Sequence, residues 1–401
     1  MKKAKSTSSY LIVIILVVIF IGIGEKMAER FLPLYLLAIG GSAYTVGFLN
    51  GMDNLLSALY SFPGGYISDK IGSKKAIILF TLMAMFGYLI VIVVVSWWAV
   101  LVGALFFISW TAITLPAFMS LVSSHLPKNK RTLGVSLHSL VRRIPMGLGP
   151  VLGGLLIGKY GRIIGIRCSF FIAFVLGVAS IWFLQRFKTE EPRHVSRSFP
   201  IRESTHFINK PLRNLLLSDI LIRFAEQIPY AFVVVWAVNN NGISAPQFGF
   251  LTMIEMTVAM LLYIPIALLA DRSTKKPFVL ITFVNFTMFP LVLLFSRTYP
   301  ALIFAFILRG LKEFGEPTRK ALIMDLAPEN AKATTFGTYY LLRDIVVSVA
   351  AFSSAFLWNL SPRVNFLTAF AFGALGTLYF ALFGKDTKTT VATVAGPAPI
   401  L

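Results

Sequence analysis

The chain has 401 residues, of which 57% are hydrophobic and only 13% charged, with a mean hydropathy of +0.78. So little polar surface cannot clothe a soluble protein of this size, and a bilayer is its natural solvent. The net charge of +20 would suit nucleic acid, but Lys and Arg collect in loops and at segment ends, as cytoplasmic loops require, so no nucleic-acid partner is expected.

Gly, Pro and charge divide the chain into twelve apolar segments. Their spans are 10–37, 44–68, 74–95, 97–125, 131–157, 166–186, 212–239, 246–270, 276–297, 299–327, 332–360 and 362–384. The expected fold is an all-α polytopic membrane protein with twelve transmembrane helices. The opening MKKAKSTSSY precedes an apolar run without a small-residue cleavage site, so it reads as the start of the first membrane helix. The one long polar segment is 187–211, which reads as a central cytoplasmic loop. It divides the chain into 1–186 and 212–401. The lone Cys168 excludes an internal disulfide.

Basic residues set the orientation. With the N-terminus inside, Lys2, Lys3, Lys5, Lys70, Lys74, Lys75, Lys128, Lys130, Arg131, Arg272, Lys275, Lys276, Lys385 and Lys388 fall on the cytoplasmic side. The outside receives Lys159, Arg162, Arg167, Arg297 and Arg363. Both termini are therefore expected in the cytoplasm, and the protein in the cell membrane.

The two halves repeat each other. Asp69 and Asp271 lie 202 positions apart, and the same offset relates Pro63 to Pro265, Asp53 to Glu255, and VGFL (46–49) to FGFL (248–251). An offset of 201 relates Pro116 to Pro317, Pro127 to Pro328, and Arg142 to Arg343. Seven matches in order indicate a duplication. Two pseudo-symmetric six-helix bundles with a path between them follow.

The stretch GGYISDKIGSKKAI (64–77) carries a specific resemblance. Gly65, Asp69, Lys70, Gly72, Lys74 and Lys75 resemble the loop signature between helices 2 and 3 of the major facilitator superfamily, with Ser73 in a usually basic place. A degenerate second copy holds Asp271, Arg272, Lys275 and Lys276, with Ala267 and Thr274 where Gly is typical. The resemblance covers essentially the whole chain and implies a transporter, not an enzyme, without a cofactor. Gly65, Asp69, Lys70, Gly72, Asp271 and Arg272 would then form a conformational latch, with Asp69 accepting from a facing helix N-terminus. PMGLGPVLGG (145–154) resembles the Gly-rich helix 5 of drug/proton antiporters through Gly149, Pro150, Gly153 and Gly154, a candidate pivot. The helix-4 stretch FFISWTAITLP lacks the Arg usual in that branch, while Arg309 holds the equivalent place in the second half.

Charges deep in the spans are the remaining signal, since each is costly against lipid. Asp53 lies about 24 Å from Asp69 along its helix, and Arg142 about 16 Å from Arg131. Helix 7 places Asp219, Arg223, Glu226 and Tyr230 on one stripe, and helix 10 places Arg309, Lys312, Glu313, Glu316 and Lys320. His138 reads as a structural hydrogen-bond partner of the Arg142 turn. A lone buried carboxylate changes its proton affinity when water reaches it. Asp53, Glu25, Glu226 and Glu255 are therefore candidate proton-coupling groups, and Glu29, beside Arg30, a weaker one. Arg142, Arg343, Arg309, Tyr230 and Glu313 are candidate substrate contacts. No metal-binding, phosphate-binding or paired-Cys motif is present. The expected function is alternating-access, proton-coupled export of an amphipathic or charged small molecule by a monomer in the bilayer. The alternatives are a proton-coupled importer of an organic anion and a non-transporting receptor or scaffold on the same fold.

Overall fold

The computed structural model describes residues 2–108, 110–114, 141–186, 208–271, 274–328 and 332–386. The described chain is helical, with short connections. In the first half come α1 (Lys2–Glu29), α2 (Leu32–Ala38), α3 (Ala43–Ile71), α4 (Ser73–Val93), α5 (Trp97–Phe107) and α6 (Arg143–Arg186). The second half holds α7 (Lys210–Tyr230), α8 (Phe232–Val235), α9 (Ala245–Asp271), α10 (Lys276–Phe295), α11 (Tyr299–Leu311), α12 (Glu316–Leu326), α13 (Lys332–Leu360) and α14 (Pro362–Phe383). Among the described residues, seven helices are long and apolar enough to cross a bilayer, or eight if α7 and α8 with its extension to Asn240 form one bent span.

Several expected spans are broken, each for a local reason. The span expected over 10–37 breaks at Arg30–Phe31, and Pro33 sits in the first turn of α2, where its missing N–H costs nothing. α7 and α8 meet at a bend of 41° just after Pro229, and the run closes in a π-helical turn, Trp236–Asn240. The span expected over 299–327 is split between α11 and α12. At that break the Gly315 N–H donates to Thr282 Oγ1 at 2.5 Å. A side chain at Gly315 would collide with the Phe278 carbonyl. In the other direction, 131–157 and 166–186 join. α6 is two helical arms meeting at Gly161, whose φ of +77° any other residue would adopt at a cost. Part of the span expected over 97–125, the start of 131–157, His138 and the central loop from 187 to 207 lie outside the described residues.

The molecule is polar inside and oily outside. Leu82, Phe86, Leu89 and Val93 on α4, and Leu375, Leu378 and Leu382 on α14, are exposed. Glu25, Asp219, Glu255, Arg309 and Arg319 are buried. That inversion suits a hydrocarbon solvent, where charges must face one another or a cavity.

Most helices pack within their own half. α1 lies along α6, and α4 against α5 and α6. In the second half α14 packs on α7 and α10, and α9 on α11. Two seams join the halves: α3 against α13, and α6 against α9. Both use glycine for close approach. A Cβ on Gly47 would stand 2.6 Å from Ala355 Cβ, and one on Gly51 would enter the Phe352 ring. Tyr44 meets Phe356 edge-on at 5.2 Å beside them. In the second seam a Cβ on Gly154 would stand 2.6 Å from the Ala245 carbonyl, and Gly249 rests on the Pro150 carbonyl.

Candidate functional site

Between the halves lies a polar cavity of about 450 Å³. Its first-half wall carries Arg30, Asp53, Asn54, Ser57, Arg142 and Arg143. Its second-half wall carries Arg223, Glu226, Gln227, Tyr230, Glu255, Tyr263, Lys312, Glu313, Glu316 and Lys320. The volume suits a small organic molecule. The wall is far more polar than a drug-like pocket, so charge complementarity dominates recognition.

The cavity is closed at one end. α3 touches the second half through Tyr44, Gly47, Phe48 and Gly51. Below them Asn50 Nδ2 donates to the Gln227 carbonyl and Asn54 Nδ2 to Gln227 Oε1, both at 3.1 Å. Further along, Tyr60 donates to the Leu105 carbonyl and Gly64 packs on Ile113, both in its own half. Among the described residues α3 therefore parts from the second half from about Ser57 onward, toward its end that carries Asp69. At the closed end a small cavity of about 40 Å³ continues the chamber, lined by Arg30, Asp53, Tyr230, Arg309 and apolar residues such as Val46, Val233 and Phe248.

The second-half wall is a continuous ion-pair network. Glu226 accepts from Lys312 Nζ and from Arg223, both at 2.6 Å. Glu255 lies 3.3 Å from Arg309 and 3.7 Å from Lys312. Glu316 contacts Arg319 at 2.7 Å, Arg223 at 3.5 Å and Lys320 at 3.5 Å. Behind it the fully buried Asp219 is paired with Arg319, and lies 3.4 Å from Arg343 and 3.1 Å from the Tyr339 hydroxyl. Arg143 reaches across the chamber to Glu313 at 2.9 Å.

The first-half wall differs. Lys26 pairs with Glu29 and with Glu25, the latter at 3.3 Å. Thr111 donates to Glu25 at 3.1 Å. Glu25, Lys26, Thr111 and Arg142 line a separate small void of about 20 Å³. Asp53 is hydrogen-bonded by Ser57 and, among the described residues, makes no ion pair. Arg30 lies over the Tyr230 ring at 5.0 Å, with Arg309 at 5.7 Å from the same ring.

The structure thus brings Asp53, Glu226, Glu255, Arg142, Tyr230 and Glu313 onto one chamber, with Arg309 at its closed end and Glu25 in the adjoining void. Two expectations need correction. Arg343, expected on the chamber wall as the mate of Arg142, is held behind it by Asp219 and Asp344. A neighbouring aspartate in the chain, Asp344, and the α7 stripe capture it first. Glu226 and Glu255 are not single carboxylates either; each is paired by cations from α11 and its extension. Sequence reading passed over Arg143 and Gln227, and gave Arg30 no role of its own. The adjacent pair Arg142–Arg143 was the available signal, because neighbours on a helix point about 100° apart and serve different partners.

The latch residues lie at the open end. Gly72 joins α3 to α4 with φ +90°, Lys70 is exposed, and Asp69 is half-buried without a partner among the described residues. Asp271 ends α9, and Arg272 lies outside the described residues. The second copy is tied by Lys275 to Asp325, and by Asp386, which accepts from the Lys275 and Lys276 N–H groups at 3.0 and 3.1 Å. Lys74 donates to the Gln185 carbonyl at the end of α6, and Lys276 to Ala381 near the end of α14. Both lysines complement a helix C-terminus. On α6, Gly149 and Gly153 press against Lys26 and Met27 of α1, while Gly154 and Pro150 meet α9.

A helical membrane protein with a charged chamber between two halves, sealed at one end, has the architecture of a solute carrier. The model of the Major Facilitator Superfamily matches residues 14–224 and again 215–399. The chain belongs to that superfamily, whose members are membrane transporters and not enzymes. It is 22% identical over 358 residues to the uncharacterized MFS-type transporter MJ1317 of Methanocaldococcus jannaschii, covering 86% of this chain and 87% of that one. It is 32% identical over 159 residues to the uncharacterized MFS-type transporter YqjV of Bacillus subtilis, 38% of each chain. Its fold is similar to that of the nucleoside transporter NupG, with TM-score 0.79, 12% identity, and 94% and 100% of the two chains covered. It is also similar to a bacterial Spinster homologue solved inward-facing and unoccupied, with TM-score 0.74, 12% identity, and 94% and 95% covered.

Proposed function

We propose that this protein is a secondary active transporter working by alternating access, with twelve transmembrane helices in two six-helix bundles, 1–186 and 212–401. The observation that carries the reading is the polar chamber between the halves, closed by the Tyr44–Gly51 seam and open toward Asp69. The basic residues at the open end argue that it faces the cytoplasm. In this reading the state is inward-facing, as in the Spinster homologue of similar fold. Asp69, without a partner among the described residues, fits a latch that engages when the cytoplasmic side closes. The two faces of α6, one on α1 and one on α9, fit Gly149, Pro150, Gly153 and Gly154 as a pivot.

Proton-coupled export is the mode we favour. Asp53 is a chamber carboxylate without an ion pair among the described residues, and its access to water changes with the state. Such a group couples protonation to motion. Glu25, hydrogen-bonded by Thr111 beside Lys26, is the second proton site in this reading. Glu226 and Glu255 act as gate members instead, because their cations hold them. The chain works as a monomer in the cell membrane. The test is solute counterflow and pH-driven flux in proteoliposomes holding the full chain. Flux that accumulates solute only under an imposed pH gradient fits the model. Binding without flux would leave a receptor or scaffold, and flux indifferent to the gradient would remove proton coupling.

A further inference from the structure

The charge on the two chamber walls is unequal in kind. On the second-half wall each carboxylate has a cation in contact: Glu226 with Lys312, Glu255 with Arg309, Glu313 with Arg143 and Glu316 with Arg319. Nothing there is left to hold a ligand amine. On the first-half wall Arg30 and Arg142 face the chamber, and among the described residues neither makes an ion pair. The sequence removes one escape. No Asp or Glu lies between Asp69 and Glu190, so α4, α5, α6 and the stretch between α5 and α6 supply no carboxylate to Arg142. The nearby Glu25 and Glu29 are engaged by Lys26. Lys26 offsets only one of those two charges, so with Asp53 two carboxylate charges stand against the two guanidinium groups, and of these carboxylates Asp53 alone lines the chamber.

Guanidinium groups inside a membrane span stay charged and need a partner. Tyr230 gives Arg30 an aromatic face at 5.0 Å, which orients the group without neutralising it. The planar fork is left to a group with two or more acceptor oxygens. On this wall of the chamber an amine would meet Arg30, Arg142 and Arg143 and one lining carboxylate, Asp53.

We infer that the substrate is a small organic acid whose carboxylate, phosphate or sulfonate group is held by the guanidinium groups of the first-half wall, Arg30 and Arg142. This rests on the transporter reading and narrows it to a substrate class. Met256 lies on the facing wall, beside Tyr263, whose ring carries Arg143 at 5.1 Å, and offers an apolar contact to the uncharged body of the ligand.

The test uses the full chain in lipid nanodiscs and a library of matched triplets, each scaffold present as carboxylate, carboxamide and amine, with phosphomonoesters and sulfonates added. The expected binders are the acids. Their affinity should fall about ten- to a hundredfold in Arg30→Gln and in Arg142→Gln, with unfolding temperature and elution volume confirming fold. A second measurement needs no variant: a bound acid should protect Arg30 and Arg142 from phenylglyoxal, read by peptide mapping. Preferential binding of amines or amides, absence of any acid binder, unchanged affinity in folded variants, or lack of protection would each overturn the assignment. Acid binding without flux in proteoliposomes would keep the site and remove the transporter reading. Flux of an amine would keep the transporter and remove the site.

Discussion

The seam between α3 and α13 offers a direct test of alternating access. Gly47 packs against Ala355, where an added Cβ would sit 2.6 Å from the Ala355 Cβ and 3.2 Å from its backbone nitrogen. Ordinary contact begins near 3.4 Å, so even alanine needs a displacement of 0.8 Å (3.4 − 2.6), and valine adds two more methyl groups. Overpacking of this kind costs about 1–3 kcal/mol. If the seam opens in the other state, Gly47→Val is penalised in the present state alone. The equilibrium should then shift by about 5- to 150-fold toward the opposite opening. Gly87→Val is the control: its Cβ would stand 2.5 Å from the Gly103 carbonyl oxygen, a clash of similar severity between α4 and α5, wholly within the first half. It should lower stability in both states and leave their ratio unchanged. The assay is labelling of single cysteines, in a Cys168→Ser background, by an impermeant thiol reagent from either side. Val233→Cys reports on the closed end and Ser57→Cys on the chamber. Gly47→Val should raise Val233→Cys labelling from the closed side and lower Ser57→Cys labelling from the open side. Unchanged labelling in a folded Gly47→Val protein, or the same shift in Gly87→Val, would refute the reasoning.

Asp53→Asn should abolish accumulation against a gradient while preserving solute exchange, measured by counterflow; full uphill transport in this variant places the proton site elsewhere. Asp69→Asn should slow transport by about tenfold or more with little change in thermal unfolding or ligand affinity; wild-type turnover would remove the latch. Asp219→Asn withdraws the buried charge shared by Arg319, Arg343 and Tyr339. It should cost about 3–5 kcal/mol, read as a fall in unfolding temperature; a variant as stable as wild type would show that the network is held by packing alone.

Much of the fold was legible because hydropathy and punctuation are local. Gly72 and Gly161 each mark a break between expected spans, and the structure turns at each, whereas the break before Pro33 fell inside the expected span 10–37. The bend at Tyr230 and the gap at Gly315 were not legible, because both are set by neighbours: Gly315 yields to Phe278 and Thr282. The same division holds for the site. Helical spacing grouped Asp219, Arg223, Glu226 and Tyr230 correctly as one stripe. It could not say that the stripe has a wet side and a dry side. Asp219 faces Arg319, and Glu226 faces the chamber.

Pseudo-symmetry misled for a related reason. Arg142 and Arg343 correspond by position, as do Asp53 and Glu255. In each pair the second-half member is neutralised by a contact that the first half lacks: Asp219 for Arg343, and Arg309 for Glu255. The missing counterparts can be read off directly. At the offset of 202 from Asp219 stands Val17, and at 201 from Arg309 stands Ile108, both apolar and buried. Where the duplicated scaffold lost or never gained the partner charge, a free group remains facing the chamber. In the proposed reading, the half that looks simpler in sequence is therefore the half that keeps groups without an ion pair among the described residues for a ligand and a proton, while the charge-rich half spends its groups on one another and holds the wall in shape.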